Sequence, residues 1–77
     1  MFSKEIFSQR LLTLRQERNE SQEPLATFLN VTKTQISEME NAKKTTTLEK
    51  FALICEYYNV SADYLLGLTD ERRTLEP

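Results

Sequence analysis

The chain has 77 residues, one Cys (Cys55), no His, one Gly, two Pro and a formal net charge of −2. That length holds a single domain with a thin margin of stability. The lone Cys and missing His exclude disulfide frameworks, Cys/His zinc sites and every nucleophile–His catalytic pair, so no enzyme, metal or cofactor is expected.

No apolar run reaches the roughly 20 residues a membrane span needs, and residues 1–10 lack the apolar centre of a signal peptide, which leads us to expect a cytoplasmic protein with no membrane partner. Scarce Gly and Pro leave few breakers for frequent β-turns, while abundant Leu, Glu, Lys, Gln and Arg favour helices. Apolar Ile6, Phe7, Leu11 and Leu14 predict a first helix over residues 4–18, with Ser3 as N-cap. Ser21 is the next N-cap, opening a short helix to Leu29 in which Pro24 lies in the first turn, where a missing N–H costs little. Its apolar face is Leu25, Phe28 and Leu29, with Ala26 small between them.

Asn30 suits the left-handed conformation that stops a helix. Thr32 with Gln35 three residues on forms a capping box, so a third helix starts at once and runs to about Asn41, with Ile36 and Met39 on its apolar side. Residues 42–46 read as a loop. Thr47, or Thr46 paired with Glu49, starts a fourth helix with apolar positions Leu48, Phe51, Ile54, Cys55 and Tyr58. Cys55 is expected to be a small core residue. After Asn59-Val60, Ser61 caps a short fifth helix carrying Tyr64, Leu65 and Leu66, with Gly67 as its stop. Residues 69–77 hold many charges and little apolar surface, so a flexible tail follows a domain over 1–68.

The informative segment is 22–41. Two short helices separated by only Asn30-Val31 must cross steeply, with small Ala26 at the close approach and Leu25, Leu29, Val31, Ile36 and Met39 turned inward. This is the pattern of a helix-turn-helix, whose second helix can enter the major groove of DNA. The chain resembles the Cro/cI-type helix-turn-helix repressors. The matching pieces are Leu14-Arg15, Ser21-Gln22, Leu25-Ala26, Val31-Thr32, Ile36-Ser37, Met39-Glu40-Asn41, Asn59-Val60-Ser61 and Asp63-Tyr64-Leu65-Leu66-Gly67, in order and at family spacing. The resemblance implies an all-α, five-helix, lambda-repressor-like domain that binds double-stranded DNA as a transcriptional regulator, with no small-molecule ligand evident.

It further implies that 32–41 is the recognition helix. Lys33, Thr34, Gln35 and Glu38 would then face bases or their flanking phosphates, while Gln22, Asn41, Lys43 and Lys44 would contact the backbone. Arg15 and Glu40 would form a shielded ion pair between the first and third helices. Lys33 and Thr34 in the exposed first turn, with Glu38 one turn on, share a face. Lys can donate to guanine or phosphate, and Gln can pair bidentately with adenine.

The chain departs from the family at four positions. Glu20 replaces an apolar residue, Ala42 a Gly, Thr46 a Pro, and Glu38 a polar or basic residue. Residues 1–48 carry seven Lys/Arg against six Glu, and 49–77 three basic against six acidic. The negative excess therefore lies in the second half, and Lys33, Lys43, Lys44 and Arg10 are expected to form a modest basic face. Because one short recognition helix offers little contact, a weak homodimer on a two-fold operator is expected, joined through Val60, Tyr64, Leu65, Leu66 and Leu68. The alternative is a protein-interaction module that keeps the fold and has given up DNA, suggested by the acidic balance and Glu38.

Overall fold

Hydroxyl groups start most of the helices. In the computed structural model, which describes residues 2–75, the side chains of Ser3, Thr32, Thr47 and Ser61 accept from the backbone N–H groups of Ile6, Gln35, Lys50 and Tyr64, each three residues on. They open α1 (Lys4–Glu17), α3 (Lys33–Glu40), α4 (Leu48–Tyr58) and α5 (Ala62–Leu66), and the described residues contain no strand. α2 (Glu23–Leu29) is the exception. Ser21 does not cap it; Gln22 occupies the N-cap position in a helical conformation with no side-chain cap bond. Pro24 in the first turn needs no partner for an N–H it lacks, and the Gln22 side chain is drawn elsewhere.

Left-handed residues end three helices: Asn30 (φ 57°) after α2, Asn59 (φ 53°) after α4 and Gly67 (φ 82°) after α5. Gly67 is constrained twice, because a Cβ there would also come within 3.0 Å of Ile6 Cγ2 on α1. Between these stops α1 packs on α3 and α5, α2 on α3 and α4, and α4 on α5. The shared core takes Phe7, Leu11 and Leu14 from α1, Leu25, Ala26 and Leu29 from α2, Ile36 and Met39 from α3, and Ile54, Cys55 and Tyr58 from α4. Burial pushes the Cys55 thiol pKa up, as for an unreactive core residue. Among the described residues two polar ones, Ser8 and Glu40, are buried with the core. Ser8 Oγ donates to the Met39 carbonyl at 2.5 Å, tying α1 to the last turn of α3.

The apolar surplus lies elsewhere than periodicity suggests. Val60, Tyr64 and Leu65, expected at a dimer contact, are core residues, with Leu65 fully buried. α5 is short and packed against both α1 and α4, which covers Tyr64 and Leu65 and leaves Leu66 half-buried. The guanidinium groups of Arg10 and Arg72 lie 4.4 and 5.4 Å from the Tyr64 ring centre. Leu68 remains exposed, whereas Leu48, expected on the inner face of α4, is 83% exposed. Leu48 is the first residue of its helix and extends past the elements that cover Phe51 and Ile54.

Residues 69–75, expected to be a flexible tail, make specific contacts with the domain. Arg72 donates to both Glu17 carboxylate oxygens and to Tyr64 Oη, and Leu75 N donates to Asn59 Oδ1. Arg10 reaches the Tyr64 and Thr69 carbonyls and pairs with Asp70 at 2.8 Å. Residues 76 and 77 of that expected tail lie outside the described residues.

Two adjacent phenols on α4 make stability fall with alkali. The hydrogen bond that Tyr57 donates to Glu20 holds its pKa up, and burial does the same for Tyr58, whose Oη has no hydrogen-bond partner among the described residues. Above the ordinary phenol value of about 10 the unfolded chain has released protons that the native state keeps, so the slope of stability against pH is negative. Below that value the contribution is fully present. Thermal midpoints should therefore drop as pH rises past about 10, and the drop should be smaller in Tyr58→Phe. That variant should also match or exceed the parent near neutrality, by up to about 1 kcal/mol, because it removes an unsatisfied buried hydroxyl.

Candidate nucleic-acid interface

α2 and α3 are joined by one left-handed residue, Asn30, and the half-buried Val31. The Val31 N–H donates to the Ala26 carbonyl at 2.9 Å, so the turn is built onto α2 itself. Thr32 and Gln35 close the capping box that starts α3: Thr32 Oγ1 accepts from Gln35 N, and Gln35 Oε1 accepts from Thr32 N at 2.9 Å. The inward face of α3 is Ile36, Met39 and Glu40, which leaves Lys33, Thr34 and Gln35 exposed and Glu38 half-buried on the outward side.

Glu40 anchors this arrangement. Arg15 donates to it twice, Nε to Oε2 at 2.6 Å and a terminal nitrogen to Oε1 at 3.0 Å, while the second terminal nitrogen donates to the Glu20 carbonyl at 2.8 Å. Gln22 Nε2 donates to Glu40 Oε1 at 3.0 Å. One carboxylate, its side chain 4% exposed, therefore gathers α1, the entry to α2 and the end of α3. The hydrogen bonds that Arg15 donates to Glu40 hold its guanidinium pKa above the ordinary value. Gln22 stays half-buried, and its bond to Glu40 fixes the side chain at the start of α2.

The loop after α3 is organised by Ala42, which adopts φ 59°, the left-handed conformation a Gly would take without penalty. The chain thus follows the turn despite the Gly-to-Ala departure. The N–H groups of Lys43 and Lys44 donate back to the Glu38 carbonyl at 2.9 and 3.3 Å. Lys44 Nζ then lies 3.8 Å from Glu38 Oε2, and the Lys43 side chain stays exposed and forms no ion pair among the described residues. Asn41 Nδ2 donates to the Ser37 carbonyl at 2.8 Å.

Several expected contacts are already engaged within the protein. Gln35 Oε1 is held by the capping box, so a bidentate adenine pairing, which needs the side-chain carbonyl and amide together, competes with the start of the helix. Arg10 is not part of the basic face; its bonds to the carbonyls of Tyr64 and Thr69 turn it towards the C-terminal segment. Glu20, out of place among apolar positions, finds a partner that sequence reasoning missed. Tyr57 Oη donates to its carboxylate at 2.7 Å, with Arg18 stacked 5.1 Å from the Tyr57 ring centre and 4.9 Å from that of Tyr58. The signal available in sequence was Tyr57 itself, an aromatic residue lying off the 54/55/58 stripe.

The helix-turn-helix family profile matches residues 11–65, which contain α2, the turn and α3 whole. The chain belongs to the Cro/cI-type helix-turn-helix family. It is 35% identical over 66 residues to the HTH-type transcriptional regulator YobD of Bacillus subtilis strain 168, and spans 86% of this chain but 59% of that protein. The restriction-modification controller protein C.AhdI from Aeromonas hydrophila has a similar fold, with a TM-score of 0.71 at 22% identity, over 80% of this chain and 94% of that one. The clp gene regulator ClgR from C. glutamicum gives a TM-score of 0.71 at 24% identity, over 82% of each chain. The fold is thus that of DNA-binding transcriptional regulators. No described helix is long and apolar enough to cross a membrane.

Two substitutions should move stability in opposite directions. Glu40→Ala strands the Arg15 charge and should cost about 3–5 kcal/mol, far beyond a surface pair. Ala42→Gly relieves the left-handed strain and should gain about 1 kcal/mol, which raises the thermal midpoint of a domain this size by about 4–8 °C. Denaturant unfolding of both variants beside the parent measures the two effects.

Proposed function

We propose that this helix-turn-helix domain acts as a sequence-specific transcriptional regulator that inserts α3 into the major groove of a two-fold DNA operator. The observation that carries this reading is the outward face of α3. Lys33, Thr34 and Gln35 stand exposed on a helix whose position is held from beneath by the Glu40 hub. In this reading Lys33, Thr34, Gln35 and Glu38 meet base edges, with Gln35 using its free amide. Gln22, Asn41, Lys43 and Lys44 hold phosphates around them, Asn41 by exchanging its bond to Ser37. Occupancy of the operator is the mechanism and repression its simplest outcome, in the cytoplasm where that DNA is reached.

A second copy of the chain completes the site. The exposed Leu48 is itself one wall of an open apolar hollow of about 300 Å³, whose other walls include Phe2, Phe7, Thr46, Phe51 and Leu66. An exposed apolar patch of this kind can pack on the same patch of a second copy, as a two-fold contact requires, with Leu48 of each copy at its centre. The dimer contact is therefore reassigned from Val60, Tyr64 and Leu65 to this face, which begins directly after the loop that follows α3. The domain measures 30 × 26 × 23 Å.

Binding to random and selected duplexes over a salt series tests the DNA contacts. Lys33→Ala and Thr34→Ala should each change the preferred sequence, by about 1–3 kcal/mol at one base pair. Lys43→Ala should weaken all duplexes alike and make the salt slope shallower by about 0.9. A uniform loss in all three variants assigns Lys33 to phosphate, and no salt-dependent binding at all favours the protein-interaction module. For the dimer, Leu48→Glu should leave the thermal midpoint within a few degrees of the parent and abolish cooperative occupation of the second half-site. Gel-shift titration with sedimentation measures this, and unchanged cooperativity removes Leu48 from the contact.

A further inference from the structure

Glu38 is the acidic residue on the outward side of α3, since the other acid of that helix, Glu40, is buried with Arg15. A carboxylate in this position is repelled by phosphate and by the guanine edge, whose major-groove groups are both acceptors. Its nearest cation is Lys44 Nζ at 3.8 Å, on a side chain 70% exposed against 28% for Glu38. The pairing is not an accident of two long side chains. Lys44 is held at that end of the helix because its own N–H and that of Lys43 donate to the Glu38 carbonyl, with Ala42 in the left-handed turn between them. One residue thus carries both the carboxylate and the backbone anchor of its counter-ion.

We propose that Glu38 and Lys44 form a single specificity device that selects a cytosine and couples that selection to a phosphate contact. The proposal rests on α3 being the recognition helix, as set out above. Off DNA, and on a wrong sequence, Lys44 stays over Glu38 and neutralises it. On a sequence that presents a cytosine amino group to Glu38, the carboxylate accepts that hydrogen bond and Lys44 is released to the adjacent phosphate. Cytosine fits because its major-groove edge is a donor alone, whereas adenine sets an acceptor beside its amino group. A wrong base costs the site twice, once at the base and once at the phosphate, without any movement of the backbone. The acidic residue that looks unfavourable for DNA binding then serves to suppress binding to non-cognate DNA.

The test uses the full chain and the duplex that the parent protein enriches from a random library, together with that duplex carrying each substitution at its C·G positions. For the parent, one C·G substitution should lower affinity by roughly five- to 150-fold. The salt slope should also be shallower on that substituted duplex than on the selected one, by about 0.9, the worth of one released phosphate contact. Glu38→Gln should bind random duplex more tightly than the parent, lose the preference at that position and show one slope on both duplexes. Lys44→Met should also show one slope on both, at the shallower value. Thermal midpoints of the variants confirm that each surface change leaves the fold intact. Equal parental slopes on the two duplexes, or a selected site without a C·G pair that depends on Glu38, overturn the proposal while leaving DNA binding in place. Failure of the parent to enrich any duplex removes the recognition-helix reading as well.

Discussion

The Glu40 carboxylate is the group on which the functional half of the molecule depends. It lies beneath α3, is nearly removed from water, and receives hydrogen bonds from α1 through Arg15 and from the start of α2 through Gln22. A buried ion pair adds little net stability over an apolar replacement, because desolvation offsets most of the attraction, but breaking it is expensive. Its value here is positional. Apolar contacts between α1, α2 and α3 tolerate sliding, whereas three directed hydrogen bonds on two oxygens set one relative placement. The same carboxylate orients Gln22, so the group that holds the helices also holds a side chain at the proposed DNA face. Ser8, on α1 like Arg15 and bonded to the Met39 carbonyl, supports the same end of α3.

The departures from the family pattern are absorbed by local chemistry. Glu20 cannot pack as an apolar residue would, but it lies at the edge of the core where Tyr57 Oη reaches it, and Arg18 covers the aromatic rings above. An aromatic ring with a polar tip suits such a boundary, since its body packs and its hydroxyl stays bonded. Ala42 shows the opposite solution. Nothing replaces the missing Gly, and the chain accepts a left-handed Ala because the bonds from Lys43 and Lys44 to Glu38 require that turn. The two cases show why a substitution judged unfavourable by pattern alone need not displace the backbone.

The acidic balance of the chain is less of an obstacle to binding DNA than its net value suggests. Glu17 is paired with Arg72 and Asp70 with Arg10, and both pairs gather around α1, α5 and the segment after it. Exposed pairs like these are worth little individually. They do place negative charge beside positive charge, so the far side of the domain projects a weaker field than a count of its acids implies. Lys33 and Lys43 are left exposed around α3.

Local rules in the sequence were enough for the helices, and for most of their ends. Hydroxyl caps, the capping box and the left-handed Asn and Gly stops act over three to five residues, and the groups that satisfy them are chain neighbours. The turn between α2 and α3 was legible for that reason, and the Arg15–Glu40 pairing through the family resemblance. Ser21 failed as a cap because Gln22, its neighbour, is drawn to a carboxylate 18 residues on, and no local rule contains that. Which apolar stripe is covered, and by what, is likewise a matter of packing. Periodicity identifies a face but not the element opposite it, so Leu48 looked internal and Val60, Tyr64 and Leu65 looked available, when α1 and α4 enclose α5 and nothing overlies the first residue of α4. The destination of Arg10 was invisible for the same reason, since its partners lie 54 to 60 residues away and meet it only once α5 has docked on α1.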